Sequence, residues 1–477
     1  MTKTKAVSAD KPLGYQYRWL ILAVMLAAEI MDLIDATIIN VGGPTLQKYL
    51  GATEIDLQWI IGGYTLALGS GLILGGRLGD KFGRRYMFLF GMIGFTVASL
   101  SCSLAQSTDT LIIFRFAQGF LGAMLLPQGF GLLKAVFPPK ELGQAFGVFG
   151  PVFGLAGILG PVIGGALIQA DLFGLGWRAV FLVNVPIGIA ATAIAWKVLP
   201  RVSGDKALKI DFLGALLVIA SSALLIYPLI QGQKEDWPAW TFFSVAASIL
   251  GFILFAFQQR WISKTKLAPL INPTILTKPA FTVGLIGMSL FFAGVTGFAL
   301  IITLFLQLGQ GFSSGEAGLG NIPIAVGFAI GAGLSGGFLA AKFGRRVLQL
   351  GAVIQIVGLV LLWFVLQNQT EFSFWTLVPG MVISGLGSGL IVAALFDIVL
   401  GAADDSEVGS ASGVLSAVQS IASSLGVAVF GTVFFGQVKL GEITTGLQNS
   451  LWVSVLLMVL FFVVTPFLPK QSAAQDH

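Results

Sequence analysis

Residues 76–85 read GRLGDKFGRR and residues 337–346 read GFLAAKFGRR. Seven of the ten positions are identical: Gly76/Gly337, Leu78/Leu339, Lys81/Lys342, Phe82/Phe343, Gly83/Gly344, Arg84/Arg345 and Arg85/Arg346. A generic basic loop explains the charge but not this many identities at one spacing. The chain therefore reads as two related halves.

Around these segments the composition is that of a membrane protein. Of 477 residues, 56% are apolar and 10% charged, against about 25% charged in an average soluble domain. Apolar stretches long enough for a hydrocarbon core, which takes about 20 helical residues, recur near 19–41, 57–78, 86–106, 110–134, 142–170, 178–199, 211–231, 240–261, 281–307, 317–341, 347–367, 374–400, 408–436 and 448–468. These fourteen predict an all-α polytopic membrane protein. The first run is too long for a signal peptide and contains Glu29, Asp32 and Asp35, so it reads as a retained helix. Cytoplasmic loops hold the excess of Lys and Arg in membrane proteins. With an inner N-terminus, 22 of the 27 basic residues fall on inner segments, which places both termini in the cytoplasm. The inner loop with Asp404, Asp405 and Glu407 is acidic, and acids weigh little in orientation. The basic surplus is thus a membrane signal and calls for no nucleic acid.

Several chemistries are excluded. The single histidine is His477 and the single cysteine is Cys102, so a histidine triad, a zinc cluster and an internal disulfide cannot be built. No P-loop is present. Neither a metal nor an organic cofactor is expected, and the energy must come from an ion gradient.

Both copies of the repeated loop follow an even-numbered helix, so the halves run in the same direction, as in parallel-repeat transporters. The copies end helices two and ten, whereas a bare six-helix duplication would end two and eight. Two extra helices must separate the halves. The expected units are a cytoplasmic segment 1–18, a six-helix bundle 19–200, two inserted helices 201–266, a second bundle 267–468 and a cytoplasmic tail 469–477.

Ionisable groups in the hydrocarbon layer cost about 2.5–3.5 kcal/mol each at a helix centre. Glu29, Asp32 and Asp35 lie at i, i+3 and i+6 of the first helix, within an arc of about 120°. That face should line a water-accessible cavity, where desolvation and mutual repulsion make protonation reversible near neutral pH. Arg115 is the one cation inside a span. It lies about 22 Å above the inner face and Asp35 about 24 Å, in a core about 30 Å thick, so the two can pair. Gly147, Gly150, Gly154, Gly157, Gly160 and Gly164 recur every three or four residues along the fifth helix, a smooth stripe for close packing. On the inner loop, Gly79 and Gly83 permit a turn, and Asp80 is placed to accept hydrogen bonds at a neighbouring helix start. Asp397, near the inner end of the twelfth helix, either contacts a cationic substrate or protons, or simply reaches water.

At this point the chain resembles the major facilitator superfamily, specifically its fourteen-helix drug:proton antiporters. Leu33-Ile34-Asp35-Ala36-Thr37-Ile38-Ile39-Asn40-Val41 with Pro44 is similar to the family's first-helix signature, and Arg115-Phe116-Ala117-Gln118-Gly119 to its fourth-helix arginine motif. Gly160-Pro161-Val162-Ile163-Gly164-Gly165 resembles the antiporter motif of the fifth helix, and Trp177-Arg178 with Phe181, Asn184, Pro186 and Gly188 the start of the sixth. Two departures are Ala156, where the antiporter motif usually has Gly, and Ala341 opposite Asp80. The resemblance implies that Asp35 and Arg115 serve proton transfer; Asp32 and Glu29 join them as proton-coupling candidates from their place on the same face, with local hydration as the alternative. It implies a latch at Gly76, Asp80, Gly83, Arg84 and Arg85, and a fifth helix that seals the interface between halves. It also implies a bacterial inner-membrane protein, acting as a monomer, that exports drug-like, amphipathic or cationic small molecules in exchange for protons. Uptake of a nutrient by symport is the alternative transport reading, and a non-transporting receptor or membrane enzyme the alternative of another class.

Overall fold

A computed structural model of the chain describes residues 15–138, 141, 149–201, 204–264, 269–271, 273–368, 373–401 and 408–470. Asp404, Asp405, Glu407, Gly147 and both termini, His477 included, lie outside the described residues. In chain order the long helices are α1 (Arg18–Ile38), α2 (Glu54–Phe82), α3 (Arg84–Ser103), α4 (Thr108–Gly122), α5 (Phe149–Ala170), α6 (Asn184–Val198) and α7 (Phe212–Gln231). They continue with α8 (Ala239–Ile262), α9 (Pro279–Leu304), α10 (Ile322–Leu334), α11 (Arg345–Asn368), α12 (Phe374–Leu400), α13 (Val408–Val438) and α14 (Ile443–Val464).

Twelve helical segments among the described residues are long and apolar enough to cross a membrane by length and composition. α1 has the length as well but carries Glu29, Asp32 and Asp35, and in α5 the shorter stretch Gly160–Ala170 is apolar. Local chemistry sets several helix starts. Thr53 with Asp56, Ser107 with Thr110 and Ser313 with Glu316 form reciprocal capping boxes that satisfy first-turn amides. The stretch expected as one helix over 110–134 breaks after Gly122 and resumes as Leu126–Val136, with Pro127 in the first turn of the new helix.

Packing repeats with an offset of eight helices. α1 lies on α5 and α6, α2 on α4, α3 on α4 and α6; likewise α9 lies on α13 and α14, α10 on α12, α11 on α12 and α14. The contacts across the middle obey the same relation, because α2 packs on α13 and α5 on α10 and on the short helix Ser314–Gly320. Lipid tails are as apolar as leucine, so these interfaces depend on close fit and on buried polar contacts rather than on removal from water. One such contact joins α13 to α2, where Ser424 Oγ donates to the Gly62 carbonyl at 2.7 Å.

The extra pair, α7 and α8, is not symmetric. α7 packs along both α2 and α13, and Thr432 Oγ1 of α13 donates to its Leu229 carbonyl at 2.9 Å. α8 packs chiefly on α7, through Ser248 Oγ to the Ser221 carbonyl at 2.7 Å, and presents Phe242, Phe243, Ile249, Leu250 and Phe257 outward. At the base of this hairpin the buried Asp211 carboxylate accepts from the Gly214 amide at 2.8 Å, Gln258 Nε2 at 2.7 Å and Gln259 Nε2 at 2.6 Å. It therefore caps α7 and ties it to α8. Asp211→Ala leaves an amide and two side chains without their acceptor, and is expected to cost about 1–3 kcal/mol. A lowered thermal unfolding midpoint in detergent would check this.

Candidate functional site

α1 places its three acids in different surroundings within the first half. Asp35 and Arg115 are both 0% exposed. Arg115 Nη1 donates to Asp35 Oδ2 in a short ion pair, while Asp35 Oδ1 accepts Gln118 Nε2 at 3.0 Å and Asn184 Nδ2 at 2.7 Å. The pair expected from depth is therefore made, and α4 and α6 both contribute to it. The arginine has further partners at its Nε, its Nη1 and its face. Its Nε donates to the Ile60 carbonyl of α2 at 3.0 Å, its Nη1 also to Gln118 Oε1 at 2.9 Å, and its guanidinium lies 4.0 Å from the centre of the Tyr64 ring. Asn184 is in turn fixed by Ser99 Oγ of α3 at 3.1 Å.

This geometry has a chemical consequence. All three contacts to Asp35 are hydrogen bonds donated to it, an arrangement that suits a carboxylate and leaves no acceptor for a carboxylic acid proton. Loss of the Asp35 charge would remove the counter-ion of Arg115. These residues stand on α4 and α6, so one carboxylate of α1 ties three helices together. Arg115 Nη2 and Asn184 Oδ1 have no hydrogen-bond partner among the described residues, so each has capacity for a new contact.

The other two acids have different surroundings. Asp32 is partly exposed and accepts the Tyr64 hydroxyl at 2.5 Å. Glu29 is 7% exposed and lines a small pocket with Met25, Ala28, Phe88, Leu125, Leu126 and Gly129. Equal spacing on one helix face thus yields one ion-paired, one hydrogen-bonded and one pocket-lining carboxyl.

The repeated loops turn on glycines that only a residue without Cβ accommodates easily, with φ of +98° at Gly83 and +51° at Gly344. Gly76 of α2 faces Pro127 of the helix Leu126–Val136. Among the described residues the Asp80 carboxylate meets side chains, that of Arg84 at the start of α3 included, rather than backbone amides of a helix start. Arg84 Nη2, just past the turn at Gly83, takes it at 2.9 Å, and Arg77 Nη1, one turn back on α2, approaches to 3.7 Å. Arg77 Nη2 also donates to the Pro269 carbonyl at 2.5 Å, joining this loop to the segment that leads into the second half. Arg85 caps the end of α6 by donating to the Leu199 carbonyl at 2.7 Å and the Trp196 carbonyl at 2.5 Å. In the second copy Arg345, the counterpart of Arg84, does this work for α14, donating to the Pro466 carbonyl at 2.6 Å and the Leu468 carbonyl at 2.8 Å. With Ala341 in place of an aspartate, nothing at that position competes for it.

In α5, Gly160 lies against Thr37 and the Ile34 carbonyl, and Gly164 against Ile38 and Val41, so α1 and α5 are in close contact. Gly165 meets Ser314 and Gly315 of the second half, and the Pro161 carbonyl meets Gly318. The motif is therefore wedged between α1 and the other half. Asp397 is exposed near the end of α12 and far along the chain from the buried cluster. Gln118 and Asn184 were visible only as parts of motifs, and Tyr64 and Arg77 carried no sequence signal of their own. A tyrosine on the next long helix at about the depth of Asp32, which it contacts, is the hint that could have found Tyr64.

Two similar arrangements of long apolar helices related by a repeat define a polytopic membrane protein built from two like halves. The model of the Major Facilitator Superfamily matches residues 25–427 and 284–475, and the chain belongs to that family. It is 45% identical to the probable actinorhodin transporter of Streptomyces coelicolor, covering 90% of this chain and 74% of that protein. It is 31% identical to the tetracenomycin C resistance and export protein of Streptomyces glaucescens, covering 88% and 76%. Among solved structures, a D-xylose-proton symporter superposes with a TM-score of 0.69 at 15% identity, covering 95% of this chain and 99% of that one, which shows the shared fold.

Proposed function

We propose that this integral membrane protein exports small antibiotic-like molecules in exchange for protons. The observation that carries the coupling is Asp35, a carboxylate sealed from solvent and held by donors on two other helices. The export direction follows the names of the relatives and the wedge of Gly160, Pro161, Gly164 and Gly165 between the halves. In this reading the chain crosses the bilayer fourteen times, as bundles 19–200 and 267–468 with the pair 201–266 between them, and both termini are cytoplasmic. Protons enter from the outer side onto the α1 carboxylates Asp35, Asp32 and Glu29, with Arg115 as counter-charge. Asp80, Arg84 and Arg85, with Gly76 and Gly83 shaping the loop, hold the inner latch, and Asp397 stands at the inner mouth. The protein works as a monomer without a bound cofactor, and its substrate is amphipathic or cationic.

The test is everted membrane vesicles energised with an inward-acid gradient, offered actinorhodin, tetracenomycin C and ethidium in turn. Antiport predicts accumulation of at least one compound inside the vesicles with release of internal protons. Compound leaving with the protons would support symport instead, and no coupled flux with any compound would overturn the proposal.

A further inference from the structure

Tyr64 touches both charge systems of the first half at once. Its ring face lies 4.0 Å from the Arg115 guanidinium, and its hydroxyl donates to Asp32 Oδ1 at 2.5 Å. The side chain is 0% exposed, and its backbone carbonyl is packed against Gly119 of α4, where any Cβ would collide with it. One turn earlier on the same helix, Ile60 accepts Arg115 Nε. α2 therefore grips the guanidinium by its edge and by its face, with little freedom for either group to slide.

The two acids joined through this ring differ in access. Asp35 is fully buried, whereas Asp32 is partly exposed. The charged groups that face Tyr64 are Asp32 and Asp35 of α1 and Arg115 of α4; beyond them Glu29 faces Asp32, the Cys102 thiol of α3 faces Arg115 and Asp35, and the uncharged Asn184 of α6 donates to Asp35. A phenol that donates to a carboxylate gains electron density in its ring, and attraction between a ring face and a cation is electrostatic. Ionised Asp32 thus strengthens the hold of Tyr64 on Arg115. A proton on Asp32 weakens that hold, and Arg115 is the group that neutralises Asp35. In a buried site of low dielectric little screening intervenes.

We propose that Tyr64 is a positioning residue that carries the protonation state of Asp32, the more accessible acid, to the Arg115–Asp35 pair. This rests on the antiport reading and assigns an order within it: Asp32 exchanges protons first, and Asp35 responds through the arginine. No bond other than O–H is made or broken.

The experiment uses the full-length protein in proteoliposomes and records substrate-driven proton release against pH, with the compound exported fastest in the vesicle panel. Tyr64→Phe keeps the ring and removes the hydroxyl; Asp32→Asn keeps the shape and removes the charge. Each is expected to displace the midpoint of the profile by about one pH unit in the same direction. The double variant should move it no further than the larger single change, since both act through one contact. A wild-type profile for Tyr64→Phe, or additive displacements in the double variant, would overturn the inference. If Tyr64→Phe does not assemble, as judged by thermal unfolding, Asp32→Asn and Asp32→Glu decide it. The glutamate should lie closer to wild type, and an unmoved profile in Asp32→Asn sinks the proposal. Absence of proton release from the wild-type protein is a different result, and removes the antiport reading itself.

Discussion

Asp35→Asn is expected to reduce substrate-driven proton release to background while the protein still reaches the membrane. The reason is specific to the geometry. The carboxylate accepts Arg115 on one oxygen and two side-chain amides on the other. Asn replaces one acceptor by an N–H donor, which faces either the guanidinium or the amides of Gln118 and Asn184. It also leaves the Arg115 charge buried without its counter-ion, and breaking such a pair costs about 3–5 kcal/mol, an upper figure here because Arg115 keeps the Ile60 carbonyl and the Tyr64 ring. The variant should therefore unfold at lower temperature as well as lose coupling. Asp35→Glu, which restores the charge at a longer reach, should recover part of the stability and little of the rate. Proton release at the wild-type level in Asp35→Asn would remove Asp35 from the mechanism.

Gly165→Val should stop transport for a steric reason instead. A Cβ at this position runs into the Ser314 carbonyl and comes within 2.9 Å of the Gly315 Cα, both backbone atoms of the other half. Backbone cannot rotate away as a side chain can, so α5 and Ser314–Gly320 must separate. Overpacking of this kind costs about 1–3 kcal/mol, and here the whole cost falls on the state in which the two halves touch at this end. The variant should populate the separated state and stall there. A cysteine placed at Ser314 reports on this, since the native Cys102 is 0% exposed and contributes little background. Labelling of that cysteine by a membrane-impermeant maleimide should rise when Gly165→Val is added, and export should fall to background. Unchanged labelling together with wild-type export would show that the contact is dispensable.

How much of this was open to a reader of the chain varies by element. The identity of GRLGDKFGRR with GFLAAKFGRR at seven positions, and the place of each copy in the order of apolar runs, pointed to a repeat and to the expectation of two extra helices between its copies. The packing pairs recur with the offset of eight that this implies. The Asp35–Arg115 pair came from depth, because rise per residue in a helix is constant and a bilayer has one thickness. The surroundings of the three α1 acids could not be read that way. Spacing determines the angle at which a side chain leaves its own helix, and says nothing about what the neighbouring helix places opposite. Asp35 met Arg115, Gln118 and Asn184; Asp32 met Tyr64; Glu29 met a small pocket.

The same limit explains the loops. Gly83 and Gly344 were legible because a turn between two helices needs a residue free to adopt positive φ, which is a property of one residue. The partners of Asp80 were not legible, because Arg77, Arg84 and a neighbouring helix start compete for one carboxylate and only the path of the backbone decides among them. Covalent order and helix geometry are properties of the chain taken alone: the membrane class, the repeat, the depth of each charge and the glycine turns all follow from them. Which side chain completes a buried charge depends on the lateral approach of separate helices. The folding of α1, α2, α4 and α6 around one another decided it, where an unmet charge would cost several kcal/mol and every donor within reach is drawn in.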